Sequence, residues 1–317
     1  MKTIAILDDY QDVALKMADW SRLDGRVAIK VFNRYIGNRE ELARELSDVS
    51  AIVCNRERTP VTAELLEALP NLELVVTSGM RNNSIDVAAA QARGIPVCGT
   101  ATLGYPTAEL TVAMMLGWFR DLPVQVASLK AGGWQTSVGR GVRGKTLGIV
   151  GYGRIGKDVA RVGLALGMNV LAHSRSLTDE AAAEDGVSAA SLDRLVRKSD
   201  VISIHLGVNP QSRGLIGREE FAKMKNTALL INTARAVVVD QQAMIDALKD
   251  GAIGGAALDV YDIEPLPADH PLMTAPNTLL SPHLGYVMEE NYKISFAEAL
   301  ENIEAWLDGA PRRVLKP

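Results

Sequence analysis

Cysteine, histidine and aromatic residues are scarce in this chain. Two cysteines, Cys54 and Cys98, and four histidines stand among 317 residues. Neither type clusters at the spacing of a metal site, so no metal is expected. Both cysteines fall in strand-like apolar runs and read as small buried hydrophobes in a reducing compartment. Long apolar runs are also missing. No stretch approaches the roughly 18 consecutive apolar residues of a membrane span, and Thr107 to Phe119, the most apolar helix candidate, is too short. The opening MKTIAILDDYQD has no apolar core of a signal peptide and meets acid at Asp8. A cytoplasmic location and no membrane partner are therefore expected. Basic runs are absent and the formal net charge is −4, which argues against nucleic acid as the main partner. Low-complexity segments and solenoid-period repeats are lacking as well.

What is present is the composition of an ordinary globular chain, 47% hydrophobic and 23% charged, at a length that suggests two domains. Short apolar strands at Thr3 to Leu7, Val27 to Phe32, Ala51 to Cys54, Leu72 to Thr77 and Ile95 to Cys98 alternate with helical patterns at Arg39 to Leu46, Thr62 to Leu69 and Ile85 to Ala92. That alternation predicts βαβ units and a parallel sheet. Thr107 to Arg120 reads as a long helix leading into a second domain. Lys130 to Gly144 is glycine-rich and polar, an exposed arm. Trp134 within it reads equally as an interface anchor or as a residue tucked under its own loop.

The second domain is organised around KTLGIVGYGRIGKDVARVGLALGMNVLAHSR, Lys145 to Arg175. Leu147 to Val150 is a strand, Val159, Val162 and Leu166 mark a helix face, and Met168 to Ala172 is a second strand. Between the first strand and the helix stand Gly151, Gly153 and Gly156. In such a turn the first glycine permits the tight bend, the second lets backbone approach a pyrophosphate, and the third lets helix pack on strand. Arg154 and Ile155 open the helix, whose free N–H groups favour phosphate. These five residues are expected to hold a dinucleotide. The second strand ends at His173-Ser174-Arg175, with no carboxylate for a ribose 2′-hydroxyl and an arginine suited to a 2′-phosphate. NADP(H) is expected over NAD(H). In the alternative reading Arg175 is a solvated surface residue and either cofactor serves.

Further strands are expected at Val201 to Leu206, Ala228 to Asn232, Gly254 to Val260 and Thr278 to Ser281, with a helix over Val237 to Lys249. A terminal helix with Phe296, Leu300, Ile303 and Leu307 on one face is expected to return to the first domain. Three motifs sit at strand carboxyl ends, where open α/β sheets bind ligands: Ile231-Asn232-Thr233-Ala234-Arg235-Ala236, Ala257 through Pro267 (ALDVYDIEPLP), and Ser281-Pro282-His283-Leu284-Gly285. Reducing a 2-oxo acid needs a fork for the carboxylate, which arginine supplies. It needs a proton for the ketone oxygen, which histidine supplies near neutral pH. A carboxylate beside the histidine favours imidazolium and fixes its tautomer.

With these motifs in this order the chain resembles the D-isomer-specific 2-hydroxyacid dehydrogenases over essentially its whole length. The resemblance implies that Arg235 grips the substrate carboxylate, His283 is the general acid/base, and Glu264 orients it. Asp259 would contact the nicotinamide amide, although a strand-end cap is its plainer reading. His205, Thr233 and Gly285 would join the cofactor wall. Gly79, Met80 and Arg81 would meet the substrate, since backbone N–H groups of that loop hold its carboxylate in the family. The implied fold is two Rossmann-like, doubly wound parallel-sheet domains around a cleft. The first is discontinuous and flavodoxin-like, residues 1–103 plus 286–317, and carries the substrate side; 104–285 bind the dinucleotide. A homodimer built through the nucleotide-binding domains is implied too.

The chain also departs from the family. The loop Gly79 to Asp86 (GMRNNSID) is about two residues longer than the usual G-x-D-N-I-D, so Arg81 or Asn82 would reshape the substrate pocket. Gly207-Val208 replaces a Pro-Leu pair. Arg56 stands where phosphate-handling relatives keep an arginine, but the adjacent Glu57 would oppose a phosphate. The expected activity is hydride transfer between NADPH and a small 2-oxo acid such as glyoxylate or hydroxypyruvate. The alternatives are a dinucleotide-sensing, corepressor-like protein and a phosphoglycerate-type dehydrogenase.

Overall fold

In the computed structural model, which describes residues 1–317, the chain divides into two compact units. The first comprises Met1–Leu103 with Val287–Pro317, and the second Gly104–Tyr286. In chain order the first unit contains β1 (Lys2–Ile6), β2 (Val27–Val31), α1 (Arg39–Glu45), β3 (Ala51–Cys54), α2 (Ala63–Ala68), β4 (Leu74–Thr77), α3 (Val87–Ala92) and β5 (Val97–Gly99). Its five strands are all parallel, in the order β2-β1-β3-β4-β5. This is the flavodoxin-like winding. β3, β4 and β5 are buried along their whole length, which is why they read as continuous apolar runs rather than alternating ones. Ala5, Ile52, Val75 and Val97 pack with Leu42, Leu65 and Leu66 of the helices into one core.

The second unit contains α4 (Pro106–Phe119), α5 (Leu122–Lys130), β6 (Thr146–Val150), α6 (Arg154–Ala165), β7 (Asn169–His173), α7 (Asp179–Glu184), β8 (Ser188–Ala189), α8 (Leu192–Lys198), β9 (Val201–Ile204), α9 (Arg218–Lys223), β10 (Leu229–Asn232), α10 (Gln241–Lys249), β11 (Gly255–Leu258) and β12 (Thr278–Leu280). The seven strands lie in the order β12-β11-β10-β9-β6-β7-β8. Winding therefore starts at β6 and proceeds outward in both directions, which leaves a switch point between β6 and β9. Separate cores cover the two faces. Leu147, Ile149 and Ile231 pack with Met115 and Val159 on one, and Val150, Ile202 and Leu230 pack with Leu195 and Met244 on the other.

The chain then returns to the first unit as α11 (Glu289–Leu307). Phe296, Leu300 and Ile303 are buried there and Leu307 is half-buried. Trp20 meets Phe296 edge-on at 6.5 Å. Side chains dictate where most helices begin. Asn38, Thr62, Asp86, Thr178, Ser191 and Asp240 each accept a first-turn N–H, a contribution of about 1 kcal/mol apiece.

Several expectations change. The helix expected over Val237 to Lys249 is a 3₁₀ turn at Ala236–Val238 followed by α10, because the Asp240 carboxylate caps Ala243 N and restarts the helix. The short elements α5, α7, β8, α8 and α9 lie outside the elements expected from periodicity. The arm 131–144 has no regular structure, and Trp134 is 72% exposed, which removes the reading in which it tucks under its own loop. Both cysteines are buried and unpaired.

Ile52, fully buried in β3, sits between β1 and β4. Ile52→Ala is expected to destabilise the protein by about 2–5 kcal/mol, measured by urea unfolding followed by circular dichroism.

Candidate active site

Strand order alone lines up the expected site residues of the second unit. Along the carboxyl edge of the sheet, β7 delivers Ser174 and Arg175, β6 the glycine turn, and β9 His205. Then β10 delivers Thr233 and Arg235, β11 Asp259 and Glu264, and β12 His283. At about 4.8 Å per strand, β7 to β12 span roughly 24 Å.

The glycine turn meets the demands of a dinucleotide. Gly151 has φ +100°, and a Cβ there would lie 2.7 Å from the His205 backbone. A Cβ on Gly156 would run into the Gly151 carbonyl oxygen. Both positions are thus closed by the protein itself. Gly153 is different, since a Cβ there meets nothing within 4 Å. Gly153 is also the N-cap of α6 and has no side chain to cap it. The first-turn N–H groups that follow, among them those of Arg154 and Ile155, therefore lack a side-chain acceptor. A helix end of this kind favours an anion. The guanidinium of Arg154 lies against Gly104. Tyr152, between the first two glycines, is buried and donates to Asp185 at 3.1 Å, where Lys157 also bonds at 2.8 Å.

Beyond β7, Arg175 is exposed and makes no ion pair, and Ser174 is half-buried. His173 turns its Nδ1 to the carbonyl oxygen of Ala190 at 3.0 Å. His205 pairs its Nε2 with the Ser203 hydroxyl at 2.9 Å. Burial pushes its pKa down to about 4, so it is neutral near pH 7.

At the end of β10, Asn232 organises the next three residues. Its amide donates to the carbonyl of Arg235 at 3.0 Å and accepts from Ala234 N at 3.0 Å. Arg235 is half-buried and its Nη1 bonds the Ala234 carbonyl at 2.8 Å. Thr111 of α4 donates to the Thr107 carbonyl, so the bond at 2.8 Å between Thr111 and Thr233 is donated by Thr233. Thr107 in turn donates to the carbonyl of Gly285 at 2.8 Å. One face of α4 thereby holds the loops that carry Arg235 and His283.

Asp259 is fully buried. Its Oδ1 accepts from the Ser281 hydroxyl at 2.6 Å and from Leu284 N at 2.7 Å, and its Oδ2 accepts from Gly285 N at 2.8 Å. Burial raises its pKa, against the pull of these donors and of His283. The plainer reading of Asp259, a cap for the next loop, is therefore realised. The loop it caps holds His283 at φ +52°, a left-handed conformation that persists only when its surroundings over-determine it. Glu264 accepts from Tyr261 N at 2.9 Å through Oε1 and meets His283 Nδ1 at 2.6 Å through Oε2. His283 Nε2 has no partner within the chain. The ring of Tyr286 stands edge-on to the imidazole at 5.5 Å. Sequence reasoning assigns no role to Tyr261, Ser281, Thr107 or Thr111. Tyr261, whose hydroxyl reaches the carbonyls of Leu258 and Ser281, lies inside the second quoted motif two residues past Asp259, and Ser281 opens the third, which are the local clues.

The remaining expected residues lie in the first unit, after β4. Gly79 has φ +96°, and its N–H donates to the Thr100 hydroxyl at 3.2 Å. It is the turn residue of the loop rather than a carboxylate donor. The N–H groups of Met80 and Arg81 donate to nothing within the chain. Asn82 is buried and bonds Thr77, the Arg56 carbonyl and Ser84 N, so it shapes the loop instead of facing a ligand. Arg56 lies over Gly79, bonds the Ser78 carbonyl and pairs with Glu57 at 3.7 Å.

Residues 112–285 match the model of the D-isomer specific 2-hydroxyacid dehydrogenase NAD binding domain. The chain belongs to this family. It is 38% identical over 277 residues to the glyoxylate reductase of Aeropyrum pernix, covering 84% of this chain and 82% of that one. It is 37% identical over 275 residues to the D-3-phosphoglycerate dehydrogenase of Methanocaldococcus jannaschii, covering 86% of this chain and 52% of that one. The chain thus spans about half the length of the curated phosphoglycerate dehydrogenases it matches. Among solved structures, the phosphoglycerate oxidoreductase of Vibrio cholerae superposes with a TM-score of 0.93 at 36% identity, covering 98% of this chain and all of that one. The family match makes the nucleotide-binding unit a site for a nicotinamide cofactor, and the Gly153 cradle fits that group.

Because His205 refuses a proton that the unfolded chain accepts, stability is expected to fall as pH drops from about 6.5 towards about 4. His205→Gln should flatten the dependence of Tm on pH across that window, read by thermal unfolding at stepped pH.

Proposed function

We propose that this protein is a reductase of small 2-oxo acids that prefers NADPH and works towards the D-2-hydroxy acid. The observation that carries the proposal is the 2.6 Å bond between Glu264 and His283, with Nε2 left unbonded. That arrangement holds the ring by Nδ1 and leaves Nε2 as the atom that would pass a proton to a ketone oxygen. The cofactor supplies the hydride when bound. Arg235 offers its fork to the substrate carboxylate, and the N–H groups of Met80 and Arg81 supply further donors for the acid. Asp259, which the family resemblance puts beside the nicotinamide amide, is proposed to act there through the loop that its three bonds hold. Arg175, exposed and without an ion pair, is the residue proposed to take a 2′-phosphate. Glyoxylate and hydroxypyruvate are the favoured substrates. 3-Phosphoglycerate is disfavoured, because Glu57 stands beside Arg56 where a phosphate would need uncompensated positive charge. Two buried thiols without a disulfide accord with a cytoplasmic location.

The test is oxidation of NADPH and of NADH with glyoxylate, hydroxypyruvate, pyruvate and 2-oxobutyrate at neutral pH. Turnover with NADPH well above NADH is expected. His283→Ala should lower kcat by about a hundredfold or more. Near-normal turnover in that variant, or no turnover with any pair in protein that still binds dinucleotide, overturns the assignment.

A homodimer belongs to the same proposal. α5 buries none of its residues, and Leu122, Val124, Leu129 and Trp134 stay more than half exposed. Its polar groups meanwhile tie down the arm: Ser128 bonds the Trp134 carbonyl and Gln125 bonds Ser137. An apolar patch of that kind on a folded unit calls for a partner. Light scattering after gel filtration is expected to give twice the chain mass, and Leu129→Glu with Trp134→Glu should give the monomer mass. A wild-type monomer at micromolar concentration would refute the pairing.

A further inference from the structure

The substrate loop of the first unit is held from a direction the proposed chemistry does not use. Past α11 the chain comes back to the sheet. Gly99 N donates to the Arg313 carbonyl at 2.9 Å and Leu315 N donates to the Val97 carbonyl at 2.8 Å, so that Val314 bridges Cys98 in antiparallel register. The tail thus covers the open edge of β5, which would otherwise present unpaired backbone. Arg313 is fastened in turn, to Asn302 at 3.0 Å and to Glu301 at 2.6 Å, while Asn302 donates to the Gly99 carbonyl at 2.9 Å.

Gly99 is where tail and loop meet. A Cβ at that position would lie 2.8 Å from the Gly79 carbonyl oxygen, 2.8 Å from the Met80 sulfur and 3.1 Å from Leu315 Cδ2. The bare Cα therefore seats the loop and the tail side by side on β5. Next to this seat, Met80, Arg81 and Ile85 face Leu315 and Lys316 across an open cavity of about 460 Å³. The loop has no strand or helix of its own between Gly79 and Asp86. Its far end is fixed by the Val61 bridge to Ser84 and Asp86, and its near end, at Gly79 and Met80, by the Thr100 bond to Gly79 N, by Asn82, and by the Gly99 seat that Leu315 shares.

We propose that the tail, through Leu315, is a positioning element for the carboxylate-binding loop and sets where the Met80 and Arg81 N–H groups stand. Leu315 touches no reacting atom. It acts by filling the space beside Met80, so that the sulfur and the loop backbone have a single resting place on Gly99. Loss of that filling lets the two N–H groups wander, which weakens binding of the acid and leaves the dinucleotide turn untouched. This rests on the reading of the loop as the acid's binding site.

The test compares Leu315→Ala, Leu315→Met and wild type in two assays. In steady-state kinetics with glyoxylate, Leu315→Ala should raise KM for the acid about tenfold, the equivalent of one well-placed hydrogen bond. Its kcat and KM for NADPH should stay within about twofold, and Leu315→Met should restore the acid KM because methionine refills the same volume. Gly99→Ala, which moves the loop from below, should reproduce the KM effect. In amide hydrogen exchange, which needs no turnover, Gly79, whose N–H is bonded to Thr100, should exchange faster in Leu315→Ala while residues 151–156 do not change. Unchanged exchange at Gly79 overturns the positioning role whatever the enzyme does. Faster exchange with no turnover in wild type would sustain the tail–loop coupling and overturn the substrate reading instead. A fall in kcat together with a rise in both KM values and faster exchange throughout would reduce Leu315 to a stability residue and overturn the proposal.

Discussion

The buried carboxylate of Asp259 is the constraint on which the rest of the second unit's site depends. It stands at the end of β11 and accepts from Ser281, Leu284 and Gly285 across to the strand end beside it. A buried carboxylate left without donors is costly, and a loop without an anchor does not hold a residue at φ +52°. Each problem resolves the other. The loop's N–H groups satisfy the charge, and the charge pins the loop so that the His283 ring faces Glu264. Tyr261 reinforces the same join by bonding carbonyls on both strand ends. The pairing of Glu264 with His283 is thus a consequence of strand adjacency and of one satisfied buried charge.

The same logic runs along the sheet. A parallel, doubly wound sheet brings every strand's carboxyl end to one edge, so residues distant in sequence arrive in strand order. The chain then needs only short loops to aim them. Where a ligand must come close, side chains are withdrawn: Gly153 leaves open space and α6 begins without a side-chain cap. Where protein must come close, side chains are excluded for the opposite reason, as at Gly151 and Gly156, whose neighbours are backbone atoms. α4 completes the scheme by tying the loops of Arg235 and His283 to one helix through Thr111 and Thr107.

The first unit applies its hydrogen bonds differently. Gly79 N–H is committed to Thr100 and Asn82 is committed to the loop interior. The backbone donors that follow, those of Met80 and Arg81, are left over. Arg56 is drawn inward over Gly79 and towards Glu57, so the arginine that sequence position would offer to a phosphate serves the loop's shape instead. The free donors of this unit are therefore set by where a loop rests.

Much of the fold was legible in the sequence for a local reason. Buried parallel strands are short runs of Val, Ile and Leu, and β3 begins and ends at the residues that its pattern indicates. Thr62 caps α2 because an oxygen at that position has an N–H to accept. The glycine turn was legible because backbone sterics depend on the residue itself. Short helices such as α7 and α8 were not, since six or seven residues hold too few turns for a periodic pattern and leave only their caps, Thr178 and Ser191, as clues. What only the tertiary structure decided are pairings across distance. Glu264 and His283 are 19 residues apart and bond because β11 and β12 are neighbours. Asp259 serves the His283 loop because no water reaches it. Gly79 gives its N–H to Thr100, and Leu315 shares a seat with Met80 on Gly99. Residue type determines which bonds a group can make. Which of them it does make is decided by the neighbours that folding delivers, because a buried polar group must take a partner from whatever lies within about 3 Å of it.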